Sequence, residues 1–319
     1  MSESKLERVA VLGAGVLGGQ ISWHCAIKGK RVTQYDLFPE AIDKVKRAHE
    51  TYADIYRKRF GLDDAAIADT HSRMSYSSDL HQAVADVDLV IEAVPEIPAV
   101  KTEVYETMAP SLSAHTLVAT NSSTLLPRDF AEATGRPEKY CSLHFANLLW
   151  SLNLVEIMGH EKVASETLVA ATRFAIEIGM VPIPVGKEQN GYVLNSWLVA
   201  LLKTSLALVV DGVCTAEDVD RTFLIANRPA KVGPFGMADL IGMGTLKNVL
   251  EHWGDELDDA RLRRCAAYVQ ENFIDRGYMG TVSGQGFYTY PNPAYADPGF
   301  LSVPSMDQAE AIAARSVLK

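Results

Sequence analysis

From Arg8 to Val185 the chain alternates short apolar runs, rich in β-branched residues, with longer stretches of helical spacing. The runs are Val9 to Leu12, Arg31 to Tyr35, Met74 to Ser77, Leu89 to Ala93, Thr116 to Thr120, Cys141 to Phe145, Leu154 to Met158 and Val181 to Val185. Helical patterns such as Pro39 to Phe60, Pro98 to Ala109 and Ser165 to Ile178 lie between them. Strands separated by helices predict a parallel sheet with both faces covered.

After Val185 the alternation stops. Gly186 to Gly191 has the composition of a connector, and beyond it the apolar spacing is helical over Val193 to Val210, Ala216 to Ile225, Met237 to His252 and Leu257 to Arg276. Pro291 to Ser305 is Pro-rich and reads as irregular, and Asp307 to Leu318 as a short helix. The expected fold is α/β: a Rossmann-type doubly wound sheet over residues 1–186, then a mostly helical domain over 187–319. A chain of 319 residues also exceeds the size at which one core keeps growing.

Composition narrows the functional classes. A net charge of −10 argues against nucleic acid as a partner, since that binding rests on Lys and Arg neutralising phosphates. The most apolar stretch, Tyr192 to Val210, is interrupted by Asn195, Ser196, Lys203, Thr204 and Ser205, which suits a packed helix and not a membrane span. Met1 to Glu7 is polar, without the apolar core of a secretory signal, so a cytoplasmic location is expected. Cys25, Cys141, Cys214 and Cys265 have neither CxxC spacing nor paired His ligands, so no disulfide frame and no metal site is expected.

Gly13-Ala14-Gly15-Val16-Leu17-Gly18 follows an apolar strand and opens a helical pattern, the context in which GxGxxG binds a dinucleotide. Gly13 permits the tight turn, Gly15 the approach of a pyrophosphate, and Gly18 close packing of helix on strand. The helix-start amides of Val16 and Leu17 then face the phosphates. Asp36 ends the second strand, placed to accept from ribose hydroxyls, and Leu37 and Phe38 follow it where an Arg would favour a 2′-phosphate. NAD is therefore expected over NADP. A purely structural glycine turn remains the other reading. Glu92, Glu96, Lys101, Asn121, Ser122 and Ser123 follow the fourth and fifth strands, where nicotinamide and substrate should meet.

Removing a hydride from an alcohol also requires a base for the hydroxyl proton, usually His. His144 ends a predicted strand, whereas His49, His71, His81 and His252 lie in or beside polar helical stretches. Glu156 would orient the imidazole if its strand runs beside that of His144. Taken alone, a histidine at a strand end is more often structural than catalytic.

Here the residues carry a resemblance. Leu143-His144-Phe145-Ala146-Asn147 followed by Leu154-Val155-Glu156 resembles the catalytic segment of the L-3-hydroxyacyl-CoA dehydrogenase family, and Asn121-Ser122-Ser123, Gly191-Tyr192-Val193-Leu194-Asn195 and Gly284-Gln285-Gly286-Phe287-Tyr288 resemble family segments in matching order. The resemblance spans Val9 to Tyr290. It implies that His144 exchanges the proton, Glu156 pairs with it, Ser123 bonds the reacting oxygen, and Asn195 helps hold the substrate. It further implies that Asn147 supports the His loop or contacts substrate, that Glu96 and Lys101 lie near the nicotinamide, and that the enzyme is a homodimer of fatty acid metabolism acting on an acyl-CoA.

There are departures. Leu148 stands where the family usually has Pro, Trp150 adds a bulky wall to the same loop and is counted with the substrate-binding residues, Ser196 replaces an Arg, and Gln189-Asn190 replaces a Thr-Pro pair. These changes place substrate identity in question. A free 3-hydroxy acid, such as a sugar acid or a carnitine-like compound, is the alternative substrate, and a dinucleotide-binding protein without catalysis is the third reading. For the phosphates of an acyl-CoA the densest basic cluster is Arg57-Lys58-Arg59, which also reads as a solvated helix end.

Overall fold

The computed structural model describes residues 6–227 and 232–318. Of the polar stretch Met1 to Glu7, only the last two residues lie within them.

The apolar runs form eight strands, β1 (Arg8–Leu12), β2 (Arg31–Tyr35), β3 (Met74–Ser77), β4 (Leu89–Glu92), β5 (Leu117–Thr120), β6 (Tyr140–Phe145), β7 (Leu154–Met158) and β8 (Val181–Val185), in one sheet of order β3-β2-β1-β4-β5-β6-β7-β8. Helices α1 (Val16–Ile27), α2 (Pro39–Phe60), α3 (Asp64–Ser72), α4 (Leu80–Val84), α5 (Pro98–Met108) and α6 (Ser165–Glu177) connect them. The sequence dictates several boundaries directly. Pro39 opens α2 and Gly61, at φ +68°, closes it, while the Asp63 and Asp79 side chains cap α3 and α4 by accepting from the amides of Ala66 and Gln82. Every residue of β4 and β6 is buried, as expected of strands covered on both faces.

The sheet is not parallel throughout, which corrects the expectation. β7 runs antiparallel to β6, with His144 opposite Glu156 in the register. The reason is length. Only residues 146–153 separate the two strands, and a parallel crossover needs about a dozen residues or more. The remaining pairs are parallel, and the order reverses between β1 and β4, so the loops after these strands flank the crevice where such sheets bind ligands.

Beyond β8 come α7 (Leu194–Val210), α8 (Ala216–Ala226), α9 (Pro234–Ile241), α10 (Met243–Glu256), α11 (Ala260–Asn272) and the short α12 (Ala309–Ala313). The single helix expected over Met237 to His252 is two, divided at Gly242 with φ +92°. The helix expected from Leu257 begins at Ala260, because the Asp259 carboxylate accepts from the amides of Arg261 and Leu262 and so caps it there.

By internal packing, residues 6–203 and 303–318 form one compact unit and the described residues of 204–302 another. This differs from a division after residue 186. The first turns of α7 stay with the sheet, and α12 returns to α6, burying Ala309 and Ala313. In the second unit, buried Asp239 accepts from the amides of Phe287 and Tyr288 and from the Tyr290 hydroxyl. A Cβ on Gly286 would fall 2.1 Å from Asp239 Oδ1, so the glycine in the Gly284 to Tyr288 segment serves this staple. Among the described residues no helix is long and apolar enough to cross a membrane.

Candidate active site

The glycine turn sits between β1 and α1. Gly13 has φ +103°, and a Cβ there would lie 2.4 Å from the Ala93 carbonyl, so no other residue fits. A Cβ on Gly18 would lie 2.0 Å from the Gly13 carbonyl, so α1 packs onto the turn where only glycine fits. Gly15 is different: its backbone is extended and a Cβ would meet nothing within 4 Å. The turn therefore does not need glycine at 15 for its own packing, which leaves access to the α1 N-terminus as the reason for it. The amides of Val16, Leu17 and Gly18 open α1, where no preceding turn supplies carbonyl partners. At the end of β2, Asp36 accepts from the amides of Ala14 (2.8 Å) and Phe38 (3.0 Å), which aims its carboxylate across the turn. An open glycine, free helix-start amides and an aimed carboxylate fit a dinucleotide without a 2′-phosphate.

After β4 lies a buried polar cluster. Glu92 accepts from Lys101 Nζ (2.7 Å), Tyr105 Oη (2.6 Å), Thr120 Oγ1 (2.7 Å) and the Val94 amide (2.8 Å). Lys101 is only 1% exposed and also pairs with Glu96 at 3.3 Å. Its ammonium thus lies between two carboxylates at the end of β4, on the loop side where nicotinamide and substrate are expected to meet. Partial burial pushes the Glu96 carboxyl up, but hydrogen bonds from Ser122 and Thr124 and the Lys101 charge outweigh this and bring it to about 2. Glu96 thereby ties down the loop that carries Ser123. Asn121 is 7% exposed and its Oδ1 accepts from the Phe145 amide at 2.9 Å, which fastens β5 to the end of β6.

His144 ends β6 on that side. Its Nδ1 is 2.9 Å from Glu156 Oε2 and its Nε2 is 3.2 Å from Ser123 Oγ. The pairing follows from antiparallel register: directly opposite residues place their side chains on one face of the sheet. The second Glu156 oxygen accepts from the amides of Val193 (2.8 Å) and Leu194 (2.9 Å) at the start of α7. With the carboxylate as acceptor, Nδ1 carries the proton and Nε2 keeps its lone pair facing Ser123. Asn195 lies in the first turn of α7, half-buried, and its side chain makes no hydrogen bond among the described residues. Sequence reasoning missed Tyr192, whose ring stacks on the His144 imidazole with centroids 4.6 Å apart and planes at 16°. The segment containing Tyr192 was visible, but a φ of +52° that turns the ring onto His144 is not written in residue type.

The loop from β6 to β7 is held by Gln20, another residue the sequence did not single out. Gln20 Nε2 donates to Asn147 Oδ1, and the Leu148 amide donates to Gln20 Oε1, both at 2.8 Å. Asn147 therefore supports the loop. Leu148 has φ +62°, a conformation closed to proline, whose ring locks φ near −65°. Trp150 packs against Tyr52 and Tyr56 of α2, with centroids 5.3 and 6.3 Å away. It joins an aromatic cluster on α2. Arg57, from the basic cluster, pairs with Asp54 and Asp64. His49, expected on a polar face, is buried between Ser22 and Tyr76.

Comparison with known proteins bears on this geometry. Residues 8–189 match the model of the 3-hydroxyacyl-CoA dehydrogenase NAD-binding domain, and residues 191–290 that of the C-terminal domain. A probable 3-hydroxybutyryl-CoA dehydrogenase of Bacillus subtilis is 30% identical over 288 residues, 90% of this chain and 98% of that protein. The mitochondrial hydroxyacyl-coenzyme A dehydrogenase of Sus scrofa is 28% identical over 291 residues, 89% of this chain and 91% of that protein. A solved diketoreductase, described by its substrate-directed dual catalysis of dicarbonyl compounds, is 43% identical, with a TM-score of 0.68 over 90% of this chain and all of that one. With both domain models matched in order on a sheet that carries the glycine turn, the chain belongs to the 3-hydroxyacyl-CoA dehydrogenase family of NAD-dependent oxidoreductases.

Proposed function

We propose that the chain oxidises an L-3-hydroxyacyl-CoA reversibly to the 3-oxoacyl-CoA, with His144 exchanging the hydroxyl proton. The observation that carries this reading is a buried imidazole held at Nδ1 by Glu156, with Nε2 directed at Ser123. Bound NAD supplies the hydride acceptor, held by the Val16 to Gly18 amides and Asp36. In the oxidative direction Nε2 takes the proton of the substrate hydroxyl; in reverse it returns that proton to the oxygen of the ketone. Glu156 keeps the ring oriented and offsets the charge formed at Nε2. Ser123 donates to the same substrate oxygen, and Asn195 holds the substrate from α7. The enzyme is proposed as a cytoplasmic homodimer of fatty acid metabolism.

A second reading, a free 3-hydroxy acid or small dicarbonyl compound as substrate, is favoured by two observations. The Leu148 backbone excludes the loop conformation a proline would impose, and the diketoreductase is more similar in sequence than the acyl-CoA enzymes compared above. One assay series separates these readings. His144→Gln is expected to lower kcat by about 10²- to 10⁴-fold with NADH binding retained. Near-wild-type turnover would remove the mechanism. Wild-type protein is expected to reduce NAD with 3-hydroxybutyryl-CoA, and turnover confined to free 3-hydroxy acids or dicarbonyls would transfer the proposal to the second reading.

A further inference from the structure

Between β8 and α7, the turn from Gly191 to Leu194 touches both members of the His144–Glu156 pair. The Val193 and Leu194 amides hold one Glu156 oxygen, and the residue immediately before them lays its ring flat on the imidazole. We propose that Tyr192 is a positioning residue for catalysis, fixing the plane of the His144 ring and facing the positive charge that the ring acquires with the proton. The inference rests on the acid–base reading of His144.

Three features support it. The ring is 1% exposed, so it is an immobile wall. Its backbone sits at φ +52°, a region that residues with a Cβ rarely adopt, and Gly191 before it is at φ +77°. A chain merely passing from strand to helix has no need of two successive left-handed residues. Here they bring one short turn onto the carboxylate with its amides and onto the imidazole with its ring. Finally, the Tyr192 hydroxyl lies near Ser142, yet neither oxygen makes a hydrogen bond of acceptable geometry among the described residues. Burial raises the phenol above its usual range, so it stays neutral beside the imidazole. The aromatic face is the part in use, and such a face attracts a cation within about 6 Å of its centroid.

The test is a mutant cycle read in kcat, KM and NADH binding on the full chain. Tyr192→Phe keeps the face and is expected to hold kcat within about threefold of wild type, whereas Tyr192→Leu and Tyr192→Met fill the space without it and are expected to lose about tenfold or more in kcat. NADH affinity and the KM for NAD should stay within about threefold in all three, which a general loss of structure would not allow. On a His144→Gln background, Tyr192→Leu should change residual kcat by less than about twofold, because the residue acts through the imidazole. The proposal is overturned if Leu and Met variants that bind NADH turn over like wild type, if Phe loses as much as Leu, or if the losses persist undiminished without His144. If neither aliphatic variant binds NADH, the ring serves folding and the proposal is likewise overturned. Failure of the acid–base reading is separate: it shows as activity retained by His144→Gln alone.

Discussion

At the scale of single residues, the glycines of the turn between β1 and α1 look alike in sequence but answer to different constraints. Gly13 and Gly18 are required by atoms already in the chain, since a Cβ at either would overlap a backbone carbonyl. Gly15 faces open space and tolerates a side chain sterically. Gly15→Ala should therefore leave the unfolding free energy within about 0.5 kcal/mol of wild type while weakening NADH binding by tenfold or more, on the order of 1.4 kcal/mol. Gly18→Ala should destabilise the fold by several times that first margin. Paired urea titrations and NADH fluorescence check both. Equal loss of stability in the two variants would contradict the division of roles. Asp36, His144 and Glu156 were legible as candidate chemistry from residue type and order, and Ser123 through the family resemblance. That Lys101 is consumed by Glu92 and Glu96 was not, because burial depends on chain that lies elsewhere in the sequence.

Among the elements, the pairing of α1 with α2 depends on neutral histidines. His24 donates and accepts between the Ile178 carbonyl and the Tyr56 hydroxyl, and His49 sits between Ser22, the Gly19 carbonyl and Tyr76. Burial lowers both imidazoles from 6.5 to about 4. Above about pH 6.5 folded and unfolded chains both carry them neutral, so stability there is undiminished. As pH falls below that value, the unfolded chain takes up protons the folded one refuses, and stability drops until about pH 4. Each histidine contributes on the order of 3 kcal/mol to this loss. Urea midpoints measured from pH 7.5 to 4.5 should fall on acidification, and His24→Gln should flatten the slope. A midpoint independent of pH would count against this arrangement. The helices themselves were largely readable from apolar spacing, but Gly242 divides α9 from α10 within a pattern that reads as continuous, because periodicity registers faces and not a local reversal of φ.

The whole molecule presents exposed apolar side chains on its later helices. Trp197, Val199, Leu202 and Leu206 of α7, Phe223 and Ile225 of α8, and Leu240 and Ile241 of α9 are each between 44% and 63% exposed. Such exposed apolar side chains are candidate contacts for the proposed homodimer. Sedimentation equilibrium should return about twice the 34.8 kDa chain mass, and replacing Val199 and Leu206 with Glu should shift the population toward monomer. A wild-type protein that sediments as a monomer at micromolar concentration would reject the dimer.

By itself the sequence determined what local pattern and residue chemistry can carry: the strand and helix alternation, the glycine turn with its acid, and the candidacy of His144 and Glu156. The alternation of elements pointed to a parallel sheet, and the reversal between β6 and β7 came from the structure. Tertiary structure alone decided which carboxylate oxygen meets which ring nitrogen, that α7 begins on the other oxygen, and that Tyr192 lies flat on the imidazole. Those contacts join β6, β7 and the start of α7, up to 48 residues apart as Tyr192 lies from His144. Their geometry is set by the packing of the sheet as a body and by left-handed backbone at Gly191 and Tyr192, neither of which any local window of sequence encodes.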